Sequence, residues 1–228
     1  MTYNNFSISK GKGKLYLKEK QPTDGYEEVT YGEGKKTYHQ YHDRIKGVPE
    51  FFGTKEVNYQ GRTLRFLELS LKDGDTVNKV SVNLKNKGGY TDEAKALISA
   101  LKNLELGEEV SLSAVKNISE GKNGKTYENL NVYINYLGRK DENDNNPSTG
   151  YIHYNDIPKP IKKEVAGDTV WDFSPQTEFY YQVFQEIEGR FKNNSSNTEQ
   201  PKQETSQPKT KTTAEAFVPA EEGDDLPF

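Results

Sequence analysis

Hydrophobic and polar residues alternate along four stretches between residues 62 and 137. Every second residue is apolar, which is the pattern of a strand with one buried face. Between the first two stretches, Asp73-Gly74 predicts a tight hairpin turn. The apolar positions are Leu67, Leu69 and Leu71; Val80, Val82 and Leu84; Val110, Leu112 and Ala114; and Leu130, Val132, Ile134 and Tyr136. We therefore expect two hairpins, with Tyr136 in the core.

A helical pattern separates the two hairpins. Thr91 can cap its start, Asp92 and Glu93 suit its positive first turn, and Gly107 predicts its end. One apolar stripe follows the period of 3.6 residues and comprises Ala94, Leu97, Ile98, Leu101 and Leu104. We expect this stripe to pack against the strands.

Residues 38–57 are rich in aromatic residues and are interrupted by Gly47 and Pro49. This predicts one long bent strand or two short ones. The order across residues 38–137 is then strand, strand, strand, helix, strand, strand. That order fits a small barrel, and it also fits a small α+β sheet domain that binds nothing.

Segments with other patterns flank this body. Residues 6–18 alternate around a Gly-Lys turn and predict a hairpin with a basic tip, whereas residues 19–37 are polar and predict a loop. Residues 151–173 contain two prolines and the single tryptophan, Trp171, and we expect them to be extended and packed against the body.

A second helix is predicted over residues 175–192, with Ser174 as its cap and Pro175 at its first position. Its apolar stripe predicts a core or subunit contact and comprises Phe179, Val183, Ile187 and Phe191. From Asn193 onward the composition is that of a disordered linker. The expected units are an N-terminal hairpin and loop (1–37), a strand-rich core (38–140), an acidic extension with the second helix (141–192), and a linker with an acidic tip (193–228).

Charge is distributed unevenly along the 228 residues, although the net charge is only −4. Residues 1–140 carry 23 Lys and Arg against 18 Asp and Glu, and residues 141–192 carry 5 against 10. Residues 193–228 carry 3 against 7. A basic body that binds a polyanion would have this distribution, and so would ordinary surface variation.

The chain has no cysteine, no apolar N-terminal signal and no apolar run long enough to span a membrane. These features predict a soluble cytoplasmic protein without a membrane partner.

Motifs that imitate catalytic or metal sites fail on spacing. Gly124-Lys125-Thr126 ends like a phosphate-binding loop, but Ser119 replaces its first glycine and it joins two strands. Residues 141–146 resemble a calcium loop that lacks its glycine and its final glutamate. His39 and His42 are three residues apart in a predicted strand, which turns them to opposite faces. We therefore expect no metal, no cofactor and no catalytic activity.

Aromatic residues interleaved with basic ones are the remaining chemical signal. Single-stranded nucleic acid binds to flat side chains on which bases stack and to cations along the phosphate path. By strand parity, Phe66 and Tyr133 point away from the core, although most strand Tyr and Phe residues are core residues. The candidate nucleic-acid-binding residues are Tyr38, Arg44, Lys46, Phe52, Arg62, Arg65, Phe66, Lys79, Lys85, Lys87, Tyr90, Lys122, Lys125 and Tyr133.

The C-terminal end combines acidic residues with an apolar hook. Residues 215–228 carry five acidic residues and no basic one, and the chain finishes Asp224-Asp225-Leu226-Pro227-Phe228. Exposed Leu and Phe are stabilised by entering a pocket of another protein, while carboxylates suit a basic rim. We therefore expect these five residues to bind protein partners.

This tip resembles the acidic C-terminal tip of single-stranded DNA-binding proteins from bacteria and their phages, which ends in Asp-Asp-Ile-Pro-Phe or close variants. The element order of residues 38–137 is similar to the oligonucleotide-binding (OB) fold of that family, a five-stranded barrel with a helix between the third and fourth strands. The resemblance implies a mainly β protein that coats single-stranded DNA without strong sequence preference.

The resemblance further implies a role in replication, recombination or repair, with partner enzymes recruited through the tip. The N-terminal hairpin, the acidic extension and the total size are closer to phage than to bacterial members, which would place the protein in host cytoplasm. The chain lacks the family's tryptophan platforms, so Tyr or Phe would have to replace them. A homo-oligomer is compatible with the resemblance, and the alternative function is an accessory protein-interaction scaffold without DNA binding.

Overall fold

A computed structural model describes residues 1–59, 61–86, 89–120, 124–165 and 168–196, and they form a mainly β protein. Its strands are β1 Thr2–Ser9, β2 Lys14–Glu19, β3 Glu27–Tyr31, β4 Lys35–His42, β5 Ile45–Tyr59, β6 Arg62–Asp73, β7 Thr76–Asn83, β8 Lys85–Asn86, β9 Gly89–Tyr90, β10 Val110–Glu120, β11 Thr126–Tyr136, β12 Ile161–Val165 and β13 Asp168–Asp172. Its α-helices are α1 Asp92–Leu101 and α2 Ser174–Ser196. Single 3-10 turns cover Gly32–Gly34 and Tyr154–Asp156.

Nine strands form one mixed sheet in the order β11-β10-β5-β6-β7-β1-β2-β4-β3. The β1–β7 pair is parallel and the other neighbours are antiparallel. Two separate hairpins, β8–β9 and β12–β13, lie outside this sheet. Among the described residues no ladder joins β11 to β3, so the sheet is not closed by hydrogen bonds.

The long strand β5 joins the two halves of the sheet. Its first residues, Ile45–Gly47, pair with β10, and the rest of the strand pairs with β6. Gly47 has φ +146°, and a Cβ there would lie 2.7 Å from the carbonyl oxygen of Lys72, so only glycine fits. The register then shifts between Pro49 and Phe51. The predicted break at Gly47 and Pro49 is therefore a bend within one strand, and β4 is a separate strand before it.

The hairpin β1–β2 brings the sheet back towards β10. Its turn contains Gly13, with φ +62°, where a Cβ would lie 2.2 Å from the backbone nitrogen of Lys116 on β10. At the same turn Lys10 forms an ion pair with Asp92, the first residue of α1, at 2.5 Å. The predicted N-terminal hairpin is confirmed, and it packs tightly on the second half of the sheet.

One hydrophobic core joins the sheet and both helices. Thr91 caps α1, because its Oγ1 accepts a hydrogen bond from the backbone N–H of Ala94 at 3.1 Å. The predicted end at Gly107 is wrong: α1 ends at Leu101, and a turn then carries Leu104 into the same buried stripe. The predicted apolar stripe of α2 lies in the core or packs against it. Tyr180 and Phe184 of the same helix are also buried in the core.

Arg190 of α2 fastens that helix to the end of α1. Its guanidinium donates hydrogen bonds to the carbonyl oxygens of Leu101 at 3.0 Å, Lys102 at 2.6 Å and Leu104 at 2.9 Å. The last carbonyls of a helix have no partner within the helix, and a cation there also suits the helix dipole. Arg190 therefore supplies hydrogen-bond donors to carbonyl oxygens at the end of α1 and in the turn that follows it.

Two predictions are wrong: the loop over residues 19–37 and the packing of residues 151–173 against the body. Residues 27–31 are not loop but form β3, which pairs with β4. Residues 161–165 and 168–172 do not pack on the body: they form the strands of the β12–β13 hairpin, on which Trp171 is 53% exposed. The β3–β4 and β12–β13 pairs each join two strands that are adjacent in the chain. Such short hairpins can form without burying a large apolar face.

The start of α2 also differs in detail from the prediction. Ser174 is its first residue and not its cap, and the Ser174 N–H donates a hydrogen bond to Oδ1 of Asp172 at 2.9 Å. Lys163 forms an ion pair with the same carboxylate at 2.6 Å, and these hydrogen bonds hold the pKa of Asp172 well below its usual range. Neither α1 nor the described part of α2 has the length and apolar character needed to cross a membrane.

Candidate nucleic-acid interface

One side of the sheet faces away from the core and carries aromatic and basic side chains. We call the side of β5, β6, β7, β1, β2 and β4 that is turned away from the core the outer sheet face. On β6, Leu67 and Leu69 are fully buried, and Phe66 points the other way and is half-buried. Phe66 lies between Lys55 on β5 and Asn83 on β7. The structure thus places Phe66 on the predicted side of its strand.

Lys79 occupies the middle of the outer sheet face. It lies opposite Ser70 on β6 and beside Asn5 on β1. Its Nζ is 3.5 Å from Oε1 of Glu68 and 5.3 Å from the ring centroid of Tyr3. Tyr3 is 56% exposed, whereas Glu68 is 7% exposed. A cation is therefore held between a buried carboxylate and an exposed aromatic ring.

A second aromatic group lies further along the same face. We call Tyr16, Tyr31, His39 and Tyr41 the tyrosine–histidine cluster. The rings of Tyr16 and His39 are stacked, with centroids 4.3 Å apart and planes at 16°. Each ring nitrogen of His39 meets a tyrosine hydroxyl, Nε2 that of Tyr31 at 3.0 Å and Nδ1 that of Tyr41 at 3.3 Å. Hydrogen bonds therefore fix the cluster around one buried imidazole.

His39 is uncharged at neutral pH. The side chain is 2% exposed, and burial is the main reason that its pKa is lowered to about 4. The positive charges of Lys18 and Lys12 lower the pKa in the same direction. The imidazole is therefore an aromatic and hydrogen-bonding group under physiological conditions, not a cation.

Two lysines lie over the rings of this cluster. The Nζ of Lys12 is 4.1 Å from the centroid of Tyr41, and that of Lys18 is 5.4 Å from the centroid of Tyr31. Lys12 also forms an ion pair with Glu27, which raises its pKa. Aromatic platforms and cations thus occur together at this end of the face.

Two of the predicted contact residues are wrong because they are buried. Phe52 is 2% exposed, with its ring centroid 5.5 Å from that of Phe184 and 5.8 Å from that of Phe191. Tyr90 is 3% exposed against Tyr180, and burial raises its pKa to about 12. The aromatic rings that contact them belong to α2, and both residues are part of the hydrophobic core.

Other predicted residues lie on the surface next to carboxylates. Lys46 is 3.5 Å from both Asp73 and Glu109. Arg65 lies on the strand side opposite Phe66 and contacts Glu56 at 2.7 Å. The hydroxyl of Tyr38 is 3.4 Å from Glu28. Tyr38 and Arg65 lie on the opposite side of their strands from the outer sheet face, whereas Lys46 lies on that face at the start of β5.

The remaining predicted residues are spread along the chain. Arg62 opens β6 opposite Tyr59, on the same side as Phe66, and Arg44 is exposed in the bend before β5. The Nζ of Lys85 lies 5.1 Å from the ring centroid of Tyr90. The predicted residues Lys87 and Lys122, and the tip formed by Asp224, Asp225, Leu226, Pro227 and Phe228, lie outside the described residues.

Tyr133 lies on the β10–β11 hairpin, with Lys125 near its turn. It is half-buried opposite Ser113, and its hydroxyl accepts a hydrogen bond from the Asn131 amide at 3.4 Å. Its side of the hairpin is uncharged and carries Ser111, Ser113, Val115, Asn117, Ser119, Tyr127, Asn129, Asn131, Tyr133 and Asn135. This surface offers hydrogen bonds and aromatic area without cations.

The sequence prediction missed Tyr3, Tyr16, Tyr41, Lys12 and Lys18. A period-two signal was present, because Leu15 and Leu17 alternate with Tyr16 and Lys18. The same period-two alternation places His39 and Tyr41 on one side of β4. The sequence pattern does not show that β1 pairs with β7 in parallel, and this pairing brings the hairpin onto the same sheet as Phe66.

Within the described ranges, no group of three or more His, Cys, Asp or Glu residues is placed to hold a metal ion. Neither the protein-family models nor the curated proteins searched contain a match to this chain, so its function is inferred from its own residues.

Proposed function

We propose that this protein binds single-stranded DNA along the outer sheet face, without strong sequence preference, during replication, recombination or repair. The observation that carries the proposal is the alignment of Phe66, Lys79 and Tyr3 on neighbouring strands of the outer sheet face. Stacking on such rings tolerates every base, because every base has a flat aromatic surface. Cations beside the rings suit the phosphates.

We further propose that β5, β6, β7, α1, β10 and β11 form an OB-like unit. Their spatial order is β11-β10-β5-β6-β7, α1 lies between β7 and β10 in the chain, and the bent β5 pairs with both halves. In OB folds, which can be partly open, the face of the second and third strands binds oligonucleotides. The corresponding strands here are β6 and β7, which carry Phe66 and Lys79.

The proposed preference for single strands follows from the chemistry of stacking. A base within a duplex is already stacked and paired, so it can reach a protein ring only after unpairing. Each base stacked on an aromatic side chain contributes about 1–3 kcal/mol. A duplex could use only the cations of the face, and it would therefore bind more weakly.

The C-terminal tip is proposed to recruit partner proteins. Its apolar end suits a pocket, and its carboxylates suit a basic rim around that pocket. A protein-interaction scaffold without DNA binding is the second candidate, favoured by the β12–β13 hairpin. That hairpin exposes Ile161, Val165, Val170 and Trp171, each by about half of its side chain.

Fluorescence anisotropy with a labelled oligo(dT), and with a duplex of equal length, tests the proposal at several salt concentrations. We expect tighter binding of the single strand and about 5- to 150-fold weaker binding by Phe66→Ala, which corresponds to one lost stacking contact. Tyr154→Ala removes a ring that is 78% exposed and lies outside the sheet, and serves as the control. Equal affinity for both DNA forms, or equal affinity of both folded variants for oligo(dT), would contradict DNA binding at this face.

A further inference from the structure

We infer that the tyrosine–histidine cluster is a second base-stacking site, which extends the path of one DNA strand from β6 across to β4. This inference rests on the proposed function, because it assigns a further part of the same binding surface. It gives a role to the N-terminal hairpin and to β3–β4, which lie outside the proposed OB-like unit.

The register of the strands places both aromatic groups on one face. Lys79 is beside Asn5, Ser7 is opposite Tyr16, and Tyr16 is opposite Tyr41. Because paired residues project to the same side of a sheet, these positions share the outer sheet face with Phe66. Four strand spacings separate β6 from β4, which is about 19 Å at about 4.8 Å per strand.

This distance fits a short segment of a single strand. At the duplex spacing of 3.4 Å per nucleotide, about 19 Å corresponds to about six nucleotides, and fewer if the strand is extended. Single OB folds bind about 4 to 16 nucleotides, so one protomer could contact both aromatic groups with the same strand. Tyr3 and Lys79 lie between the groups.

The internal hydrogen bonds of the cluster prepare its rings for stacking. The His39 imidazole bonds the hydroxyls of Tyr31, Tyr41 and Thr37, the last at 3.1 Å from Nε2. Tyr16, Tyr31 and Tyr41 remain partly exposed around this buried imidazole. A rigid platform loses little conformational entropy when a base stacks on it.

The two lysines that lie over the rings of the cluster favour an anionic ligand, and one of them, Lys12, also forms an ion pair with Glu27. Lys12 and Lys18 lie within 4.1 Å and 5.4 Å of ring centroids, where a cation is attracted to the ring. A base that stacks on the ring would displace the ammonium group sideways, towards the phosphate of that nucleotide. Rings and cations in contact are the combination by which proteins hold single strands without reading sequence.

Double and ring variants of the full-length chain test this inference. Lys12→Ala with Lys18→Ala should weaken binding of a 20-nucleotide oligo(dT) and lower the slope of log K against log salt by about 1.4, the value for two phosphate contacts. Lys159→Ala with Lys162→Ala removes the same charge at two exposed positions outside the nine-stranded sheet and should leave the slope unchanged. Equal slopes for the two double variants would overturn the inference.

The ring variants separate stacking from a structural role. Tyr41→Leu should weaken binding at least about fivefold, as expected for one lost stacked base, and should reduce the number of nucleotides covered on poly(dT). Tyr41→Phe loses the hydroxyl bond to His39 but keeps the ring, and should bind like the wild type. If Tyr41→Phe binds as weakly as Tyr41→Leu, the ring has only a structural role and the inference fails.

Photocrosslinking to oligo(dT) followed by peptide mass mapping gives a readout that does not depend on a variant folding. We expect crosslinks in residues 14–18 or 38–42.

Wild-type protein that binds without preferring single strands would refute the proposed function itself. Single-strand binding that is lost in Phe66→Ala, with no crosslinks to the cluster, would refute only this inference. If a synthetic peptide of residues 215–228 protects the cluster and oligo(dT) does not, the site binds acidic peptide instead.

Discussion

At the scale of single residues, His39 makes stability depend on pH. Its pKa in the folded protein is about 4, below the ordinary value of 6.5, so the unfolded chain takes up a proton first as the pH falls. The stabilisation is complete above pH 6.5 and is lost progressively towards pH 4. We expect the free energy of unfolding, measured with urea, to fall in this window with a contribution of up to about 1.4 kcal/mol per pH unit from His39.

Substitution of this histidine should remove that contribution. His39→Gln is expected to flatten the pH dependence between pH 6.5 and 4.5, whatever its effect on stability at neutral pH. His153 is exposed, so His153→Gln should keep the slope of the wild type. An unchanged slope in His39→Gln would show that His39 titrates alike in the folded and unfolded chain.

Two large aromatic residues should differ sharply in their contribution to stability. Phe52 is packed between two phenylalanine rings of α2, whereas Trp171 is 53% exposed on a projecting hairpin. Phe52→Ala should lower the free energy of unfolding by about 3–5 kcal/mol, because it leaves a cavity. Trp171→Ala should cost less than about 1 kcal/mol. Urea unfolding followed by circular dichroism measures both, and similar losses would contradict this placement of the aromatics.

At the scale of elements, Arg190 links two helices through hydrogen bonds. Arg190→Met keeps most of the aliphatic stem but removes the side-chain donor from the carbonyl oxygens of Leu101, Lys102 and Leu104. The Leu101 carbonyl still accepts a hydrogen bond from the Leu104 N–H at 3.2 Å. We expect a loss of about 2–3 kcal/mol in the free energy of unfolding, since hydrogen bonds to charged groups are strong. Lys192→Ala, on the same helix, breaks an exposed i,i+4 ion pair with Glu188 and should cost less than about 0.5 kcal/mol. Equal losses would mean that Arg190 acts only as a surface charge.

The elements themselves were largely predictable, because alternation and capping are local signals. The strands around Asp73-Gly74, the cap at Thr91 and the stripe of α2 all follow from neighbouring residues. Burial of Phe52 and Tyr90 could not be predicted, since α2 lies about 90 or more residues later in the chain. Strand parity places Phe66 on its face correctly, but it cannot show which other strands share that face. The tyrosine–histidine cluster depends on pairing between β1 and β7, which are about 70 residues apart.

At the scale of the whole molecule, the aromatic and basic face has an acidic counterpart in the same chain. Residues 215–228 carry five acidic residues and no basic one. A tethered acidic segment is present at high effective concentration, so we expect it to compete for the cations of the proposed DNA-binding face. This competition is electrostatic, so salt screens it over about 10 Å at 0.1 M.

Deletion of residues 215–228 should therefore strengthen binding of oligo(dT) at low salt, by about two- to tenfold, and have little effect near 0.5 M salt. Asp224→Asn with Asp225→Asn should give part of the gain, because the competing charge is reduced while the apolar end stays. Phe228→Ala should leave DNA affinity unchanged and abolish binding of partner proteins, since it removes the hook and keeps the charge. Weaker DNA binding after the deletion would mean that the segment assists DNA binding instead of competing with it, and the proposed division between body and tip would then be wrong.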